Sequence, residues 1–176
     1  MPSEGPVHLR RAVVADAPGM ARVYVAGWQA AHAGLVPDDY LACMRAKGRE
    51  EFWRTELEGG SPDRKPWVAL LDEEVAGFAS GGLSRDEGMA RGIAEVYQVY
   101  VDPDHWRHGI GSALLRHVLK DLREHGFTRA DTWVVGANAN ARTFLEKQGW
   151  HSEGASRPED CGGTEIDLVR YTRALR

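Results

Sequence analysis

Arg107-His108-Gly109-Ile110-Gly111-Ser112 follows directly on a strand-like run, Ile93 to Val101, and leads directly into an amphipathic helical stretch. A strand that passes into a helix through glycines makes a cradle for an anion. Two glycines one residue apart allow positive φ and close backbone approach, and the first helical turn leaves several N–H donors outside its own ladder. Those donors, at the positive end of the helix dipole, suit a phosphate or pyrophosphate. Arg107 and His108 stand on the lip of the loop, where a guanidinium adds charge-assisted hydrogen bonds to the same anion. Taken alone, the six residues read equally as a tight strand-to-helix turn, so the surrounding sequence has to decide.

The chain has 176 residues, 43% hydrophobic and 27% charged, enough for one sizeable core and short of two. A single domain over 1–176 is expected. A formal net charge of -4 and the lack of any Lys/Arg run exclude a general nucleic-acid binder, which needs a concentrated basic face. An anionic ligand must therefore be held locally. Cys43 and Cys161 lack metal-ligand spacing and follow no recognisable signal peptide, so free thiols, no metal and a reducing cytoplasm are expected. No apolar run approaches membrane-spanning length, and no membrane partner is expected.

Outward from the loop, the pattern is regular. Val7 to Val14 alternates as a first strand, and Asp16-Ala17-Pro18 supplies a helix N-cap with proline in the first turn. Met20, Val23, Tyr24, Gly27, Trp28 and Ala31 share one helical stripe that Gly34 ends. Pro37-Asp38-Asp39 opens a second helical region, broken near Gly48, resumed through Phe52, Trp53 and Leu57 and stopped by Gly59-Gly60-Ser61-Pro62. Trp67 to Leu71, a turn at Asp72-Glu73-Glu74 and Val75 to Leu83 predict a hairpin. A polar loop from Arg85 to Gly92 leads to Ile93–Val101. Ile110, Ala113, Leu114, Val118 and Leu122 stripe the helix after the glycines, and His125-Gly126 ends it. Ala130 to Val135 is the next strand, Asn138 caps a short helix closed by Gly149, and two final strands, Trp150–Ala155 and Thr164–Thr172, flank a loop from Ser156 to Gly163. Consecutive strands favour antiparallel pairing, while strand, helix, strand across the glycine loop requires a parallel crossover. The expected fold is α/β (α+β), a mixed, mostly antiparallel twisted sheet with helices on both faces.

The stretch from Tyr100 to Leu115 resembles the acetyl-CoA motif of the GNAT superfamily of N-acetyltransferases, Arg/Gln-x-x-Gly-x-Gly/Ala, although its leading Arg/Gln is not matched in register and falls on Trp106 or, shifted, on Arg107. Asn138-Ala139-Asn140-Ala141-Arg142-Thr143-Phe144-Leu145-Glu146-Lys147-Gln148-Gly149-Trp150 independently resembles the family's Asn-x-x-Ala-x-x-Phe-Tyr-x-x-x-Gly-Phe segment. Trp28 to Pro37 is similar to a Trp-x-x-Ala-Tyr-x-Gly-x-x-Pro segment that borders the acceptor cleft in many bacterial members, with His32 in place of the tyrosine. The resemblance covers essentially the whole chain and is most specific over 93–150.

It implies acetyl-CoA as cosubstrate and transfer to a primary amine, expected to be a small molecule. The backbone of Val99, Tyr100 and Val101 would pair with the pantetheine arm, with the Val99 N–H as oxyanion donor. Arg107, His108, Gly109, Ile110, Gly111 and Ser112 would hold the pyrophosphate, and Asn138 and Phe144 would complete the cofactor site. Glu95 resembles the glutamate that many members use as general base; read from its residues alone it is equally a solvent-facing or edge glutamate, since one bulge reverses its face. Trp28, His32 and Tyr97 are candidates for the acceptor side. His32 serves as an acceptor-site base or as a compensating charge at a helix C-terminus. Asp38 and Asp39 fit a helix cap or an attraction for a cationic amine, and capping is the weightier role. The family tyrosine that protonates the leaving thiolate falls on Leu145, which cannot donate a proton. A thiolate with a conjugate-acid pKa of about 8.5 leaves tolerably unaided, and Tyr97, Tyr100, Tyr171 or a water could substitute.

Three other readings stay open. A protein of this fold could sense acyl-CoA without catalysis, as Leu145 suggests, or could acetylate a protein N-terminus or lysine. A nucleotide-binding protein is disfavoured, because the chain lacks the Lys-Ser/Thr of a P-loop and the third glycine and trailing acid of a Rossmann fingerprint. Edge strands near the C-terminus could pair across a homodimer.

Overall fold

The apolar alternations become strands and the 3.6-residue stripes become helices in the computed structural model, which describes residues 5–61 and 65–176. In chain order these are β1 (His8–Arg11), α1 (Ala17–Ala31), α2 (Asp38–Cys43), α3 (Ala46–Glu58), β2 (Trp67–Leu71), β3 (Glu74–Leu83), β4 (Ile93–Val101), α4 (Ile110–Glu124), β5 (Arg129–Val135), α5 (Ala139–Lys147), β6 (His151–Cys161) and β7 (Thr164–Ala174). The strands form a seven-stranded mixed sheet in the order β1-β2-β3-β4-β5-β7-β6. β4 and β5 run parallel, and the other pairings whose register is resolved are antiparallel. The described residues divide into two units, each assembled from three separated stretches of chain.

The first unit takes the described parts of Met1–Gly27, Arg45–Gly81 and Gln98–Val118. Its core gathers Met20 and Val23 of α1, Trp53 and Leu57 of α3, and Val68 and Phe78 of the β2–β3 hairpin, all nearly or fully removed from water. Asp72 and Glu73 close that hairpin with φ of 47° and 66°, the paired positive values of a type I′ turn. Gly77 of β3 answers a packing need. A Cβ there would lie 2.9 Å from Tyr100 O and 3.1 Å from Leu114 Cδ1, so its absence lets the first half of α4 settle on the strand.

The second unit takes Trp28–Met44, Gly82–Tyr97 and Leu119–Arg176. Its core joins Val36 and Leu41 to Val135 of β5, Cys161 of β6, and Ile166 and Leu168 of β7. Gly126 ends α4 with φ 85°, while Phe127 N–H bonds back to Leu122 O at 3.1 Å, the Schellman-type closure that His125-Gly126 suggested.

Several expectations are corrected. The first strand is only His8–Arg11, because Val14–Asp16 coils into a 3-10 turn. Asp16 does not cap α1: its carboxylate accepts from Val13 N–H at 2.7 Å and holds Arg10 at 2.7 and 3.0 Å, which raises the arginine's pKa. The second helical region breaks at Met44 and Arg45, both extended, and Gly48 lies inside α3. Gly59 ends α3 as expected, while Pro62 lies outside the described residues. Pro37 is the N-cap of α2 and makes no side-chain cap bond, which leaves Asp38 and Asp39 as first-turn charges favoured by the helix dipole.

The expected loop from Ser156 to Gly163 is mostly strand. β6 runs to Cys161 and turns through Gly162-Gly163, with φ of 66° and 84°, into β7. Polar residues and Pro158 imitate a loop, but β6 is the last strand of the sheet and largely exposed. A missing N–H and outward charges are tolerated at such an edge.

Gly77→Ala should force β3 from α4 and lower stability by about 1–3 kcal/mol. A thermal melt should fall by about 2–4 °C per kcal/mol; an unchanged melting temperature would show that the contact relaxes freely.

Candidate active site

In the first unit, β4 ends at a fixed corner. Asp102 N–H bonds Ala76 O at 2.8 Å, and the Asp102 carboxylate accepts from Asp104 N–H at 3.0 Å and from Arg22 at 2.5 Å. After the 3-10 turn Pro103–His105, Trp106 Nε1 donates to Val101 O at 2.8 Å. The residue on which the motif's leading Arg/Gln falls, read unshifted, thus ties the loop back to its strand.

The two left-handed positions of the loop are Arg107 (φ 69°) and Gly109 (φ 80°). This corrects the expectation that Gly109 and Gly111 share that role, since Gly111 lies in the first turn of α4 and is not left-handed. A Cβ on Gly109 would meet nothing within 4 Å, so backbone conformation and not space calls for glycine there. Ala113 N–H makes the first helical bond, to Gly109 O at 3.0 Å, which leaves the amides of Ile110, Gly111 and Ser112 outside the i→i−4 ladder. Arg107 and His108 are exposed, whereas the Ile110 side chain is buried and can offer a ligand only its backbone. Tyr100 is likewise turned into the core, against Tyr24 at 5.0 Å and Phe78 at 5.7 Å between ring centroids.

The parallel ladder between β4 and β5 is short. It covers Ile93↔Arg129, Ala94↔Ala130 and Glu95↔Asp131, although β4 continues to Val101. At the next residue a side chain takes over, with Thr132 Oγ1 donating to Val96 O at 2.9 Å.

In the second unit, the ladder's last pair sets two buried carboxylates side by side. Glu95 is 4% exposed and Asp131 1%. β4 lies between β3 and β5, so Glu95 is neither solvent-facing nor on an edge. Its carboxylate accepts from Arg85 Nη2 at 2.8 Å and from the Arg85 backbone N–H at 3.0 Å, and this hydrogen-bonded pairing raises the Arg85 pKa. The same guanidinium lies 4.1 Å over the Tyr97 ring, whose hydroxyl donates to Leu83 O at 2.6 Å. Asp131 accepts from Arg129 at 2.7 and 3.2 Å and from Thr172 Oγ1 at 2.7 Å.

Two residue pairs further along, Trp133 faces Arg170 across β5 and β7. Trp133 Nε1 donates to Asp86 Oδ2 at 2.9 Å, and Arg157 reaches Asp86 Oδ1 at 2.9 Å while lying 4.2 Å over the indole. No motif or spacing singled out Arg85, Asp86, Asp131, Trp133, Arg157 or Arg170. Apart from Arg129, the charged partners lie 10 or more residues away in the chain, beyond any periodicity.

Trp28 and His32 form a stack, with ring centroids 4.0 Å apart, and Tyr40 meets Trp28 edge-on at 6.2 Å. His32 is 6% exposed, so the surface-charge reading is overturned. Burial lowers its pKa, outweighing the bond to Trp28 O at 3.0 Å. Since a carbonyl only accepts, Nδ1 carries the proton of the neutral ring and Nε2 the lone pair. Trp53 and Trp67 stand apart in the first unit, Trp53 as core and Trp67 between Arg11 at 4.5 Å and His117 at 4.6 Å. Asn138 caps α5, its Oδ1 accepting from Ala141 N–H at 3.1 Å, while Phe144 is half-buried on that helix. Tyr171, buried, accepts from Arg142 Nε at 3.0 Å and donates to Glu146 at 2.8 Å.

The acetyltransferase (GNAT) family model matches residues 28–150. The uncharacterized N-acetyltransferase YuaI of Bacillus subtilis is 32% identical over 134 residues, 75% of this chain and 73% of that protein. Among solved structures, the PaiA N-acetyltransferase of Thermoplasma acidophilum in complex with coenzyme A superposes with a TM-score of 0.72 at 19% identity, covering 97% of this chain and 99% of the other. A ribosomal-protein-alanine N-acetyltransferase of Brucella melitensis gives 0.73 at 23% identity, covering 96% and 99%. Among the described residues no helix is long and apolar enough to cross a membrane, and Cys43 and Cys161 are free thiols.

Asp131→Ala should strand Arg129, Thr172 and Arg170 around an unfilled site and destabilise by about 3–5 kcal/mol. Urea denaturation measures this directly, and a loss below about 1 kcal/mol would mean that Asp131 behaves as a surface ion.

Proposed function

The chain belongs to the acetyltransferase (GNAT) family, and from that premise we propose that it moves the acetyl group of acetyl-CoA onto the primary amine of a small molecule by direct attack. The observation that carries this reading is the early end of the β4–β5 ladder. Beyond Glu95, β4 runs on through Val99 without pairing to β5, and backbone of that kind accepts an extended amide-bearing arm as an added strand. The pantetheine of CoA is such an arm. The helix that follows presents amides outside its own ladder beside Arg107, which suits a diphosphate.

When bound, acetyl-CoA supplies an activated acyl group as a thioester. The chain's own residues orient it and manage charge. The Val99 N–H faces the carbonyl oxygen as negative charge develops. Gly109, Ile110, Gly111 and Ser112 hold the diphosphate through backbone amides, with Arg107 and His108 at the rim. The Oδ1 of Asn138 is engaged in its cap, which leaves its amide N–H groups as the donors that side chain offers a ligand, and Phe144 stands on the same helix. Trp28, His32 and Tyr97 border the acceptor. Free thiols at Cys43 and Cys161 are what a reducing cytoplasm preserves.

An incoming ammonium must lose a proton before it attacks. Glu95 takes it in our primary reading. Because its oxygens already accept from Arg85, the transfer runs through a water at the carboxylate edge. A second reading rests on His32, a neutral buried imidazole whose Nδ1–H bond to Trp28 O leaves Nε2 as the basic atom.

Calorimetry should register CoA binding to the folded protein, and Gly111→Val should abolish it; absence of heat with wild type would refute the reading. Under the primary assignment Glu95→Gln lowers kcat by about 10²–10⁴-fold with CoA affinity intact. Under the second, His32→Gln causes that loss, and wild-type activity declines as pH falls through a His32 pKa held below 6.5. Full activity of Glu95→Gln removes Glu95 from the mechanism.

A further inference from the structure

Within the second unit, one strongly basic group is left without a hydrogen-bonded oxygen, its only carboxylate contact being a long ion pair. Asp131 is already gripped by Arg129 and Thr172, Asp86 by Arg157 and Trp133, and Glu95 by Arg85. Arg170 lies among these groups, its side chain only 22% exposed, with its nearest carboxylate oxygen, Asp131 Oδ2, at 3.8 Å. Its buried Nε has no hydrogen-bond partner among the described residues, and its Nη1 meets only the thioether of Met89 at 4.0 Å. A guanidinium so removed from water calls for an oxyanion in its donor fork. The Trp133 indole beside it lies under both Arg157 at 4.2 Å and Arg170 at 5.7 Å, so two cations converge on one aromatic platform.

We infer that the acceptor amine also carries an oxyanion, a carboxylate or its phosphinate or phosphonate equivalent, which Arg170 and Arg157 bind beside Trp133; the substrates are amino-acid-like. This rests on the acetyltransferase reading, because it takes the reacting amine to lie near Glu95. Arg170 stands two strands from Glu95 and two residues further along the sheet. Strand spacings put their Cα atoms on the order of 12 Å apart. A compact amino acid bridges it. A polycation places a second positive charge against two arginines, and a blocked carboxyl removes the oxyanion that Arg170 lacks.

The test pairs L-amino acids with their carboxamides as acceptors, following thiol release from acetyl-CoA. The readout is the acid-to-amide ratio of kcat/KM, compared between each variant and wild type, a comparison in which the differing basicity of the two amines cancels. Arg170→Gln should lower the ratio by about 10- to 100-fold, Arg157→Gln by less, and Arg170→Lys should restore part of it. Arg54→Gln, on an exposed turn of α3, should leave it unchanged. If no acceptor in the panel turns over, calorimetry with N-acetyl amino acids and N-acetyl amino amides replaces the rates, and tighter binding of the acid supports the proposal. Equal ratios in wild type and Arg170→Gln, or equal or absent binding of the two products, overturn it. CoA calorimetry on the same samples separates the failures. CoA binding with acids and amides treated alike defeats this inference alone, whereas absent CoA binding defeats the acetyltransferase reading beneath it.

Discussion

A parallel ladder of three residue pairs joins β4 to β5, and the placement of the buried charges follows from where that ladder stops. Up to Glu95 both strands satisfy their backbone groups against each other. At Val96 the hydroxyl of Thr132 takes the place of the next ladder bond, and β4 continues beyond it. Beyond that point β4 is extended without a β5 partner, as far as the corner at Asp102.

The same short ladder forces an electrostatic problem. Residues paired across parallel strands share a face, so Glu95 and Asp131 lie together away from water. Two buried carboxylates lose their hydration, and guanidinium groups reach them to offset that loss. Arg85 comes from the segment before β4, Arg129 from the start of β5 and Arg170 from β7. The guanidinium groups that neutralise this interior come from three separate stretches of chain.

Much of the architecture was legible because it depends on neighbours three or four residues away. The stripe of α4, the Asn138 cap of α5 and the Gly126 closure match their sequence signals closely. Failures came where local chemistry had two uses. Asp16 has the side chain of an N-cap, yet Arg10 and the Val13 N–H claim it first. Pro158 and its charged neighbours look like loop, yet an edge strand accepts them. Arg107 adopts the left-handed conformation that residue type assigns to glycine, at a cost of about 1–2 kcal/mol that the surrounding loop must offset.

From the amino-acid order alone came the order of elements, the glycine-containing turn into α4 and the family resemblance, all of which are written in spacings of a few residues. Only the folded chain decided that Glu95 is buried and tied to Arg85, that His32 is enclosed against Trp28, and that Trp133 gathers Asp86, Arg157 and Arg170. The reason is distance along the chain. A helix stripe or a turn is selected by adjacent side chains, whereas Arg157 and Asp86 are separated by 71 positions and meet because sheet register brings their strands together. Hydrophobic periodicity determines which face of an element is buried, but which charge meets which across that face is settled by tertiary pairing.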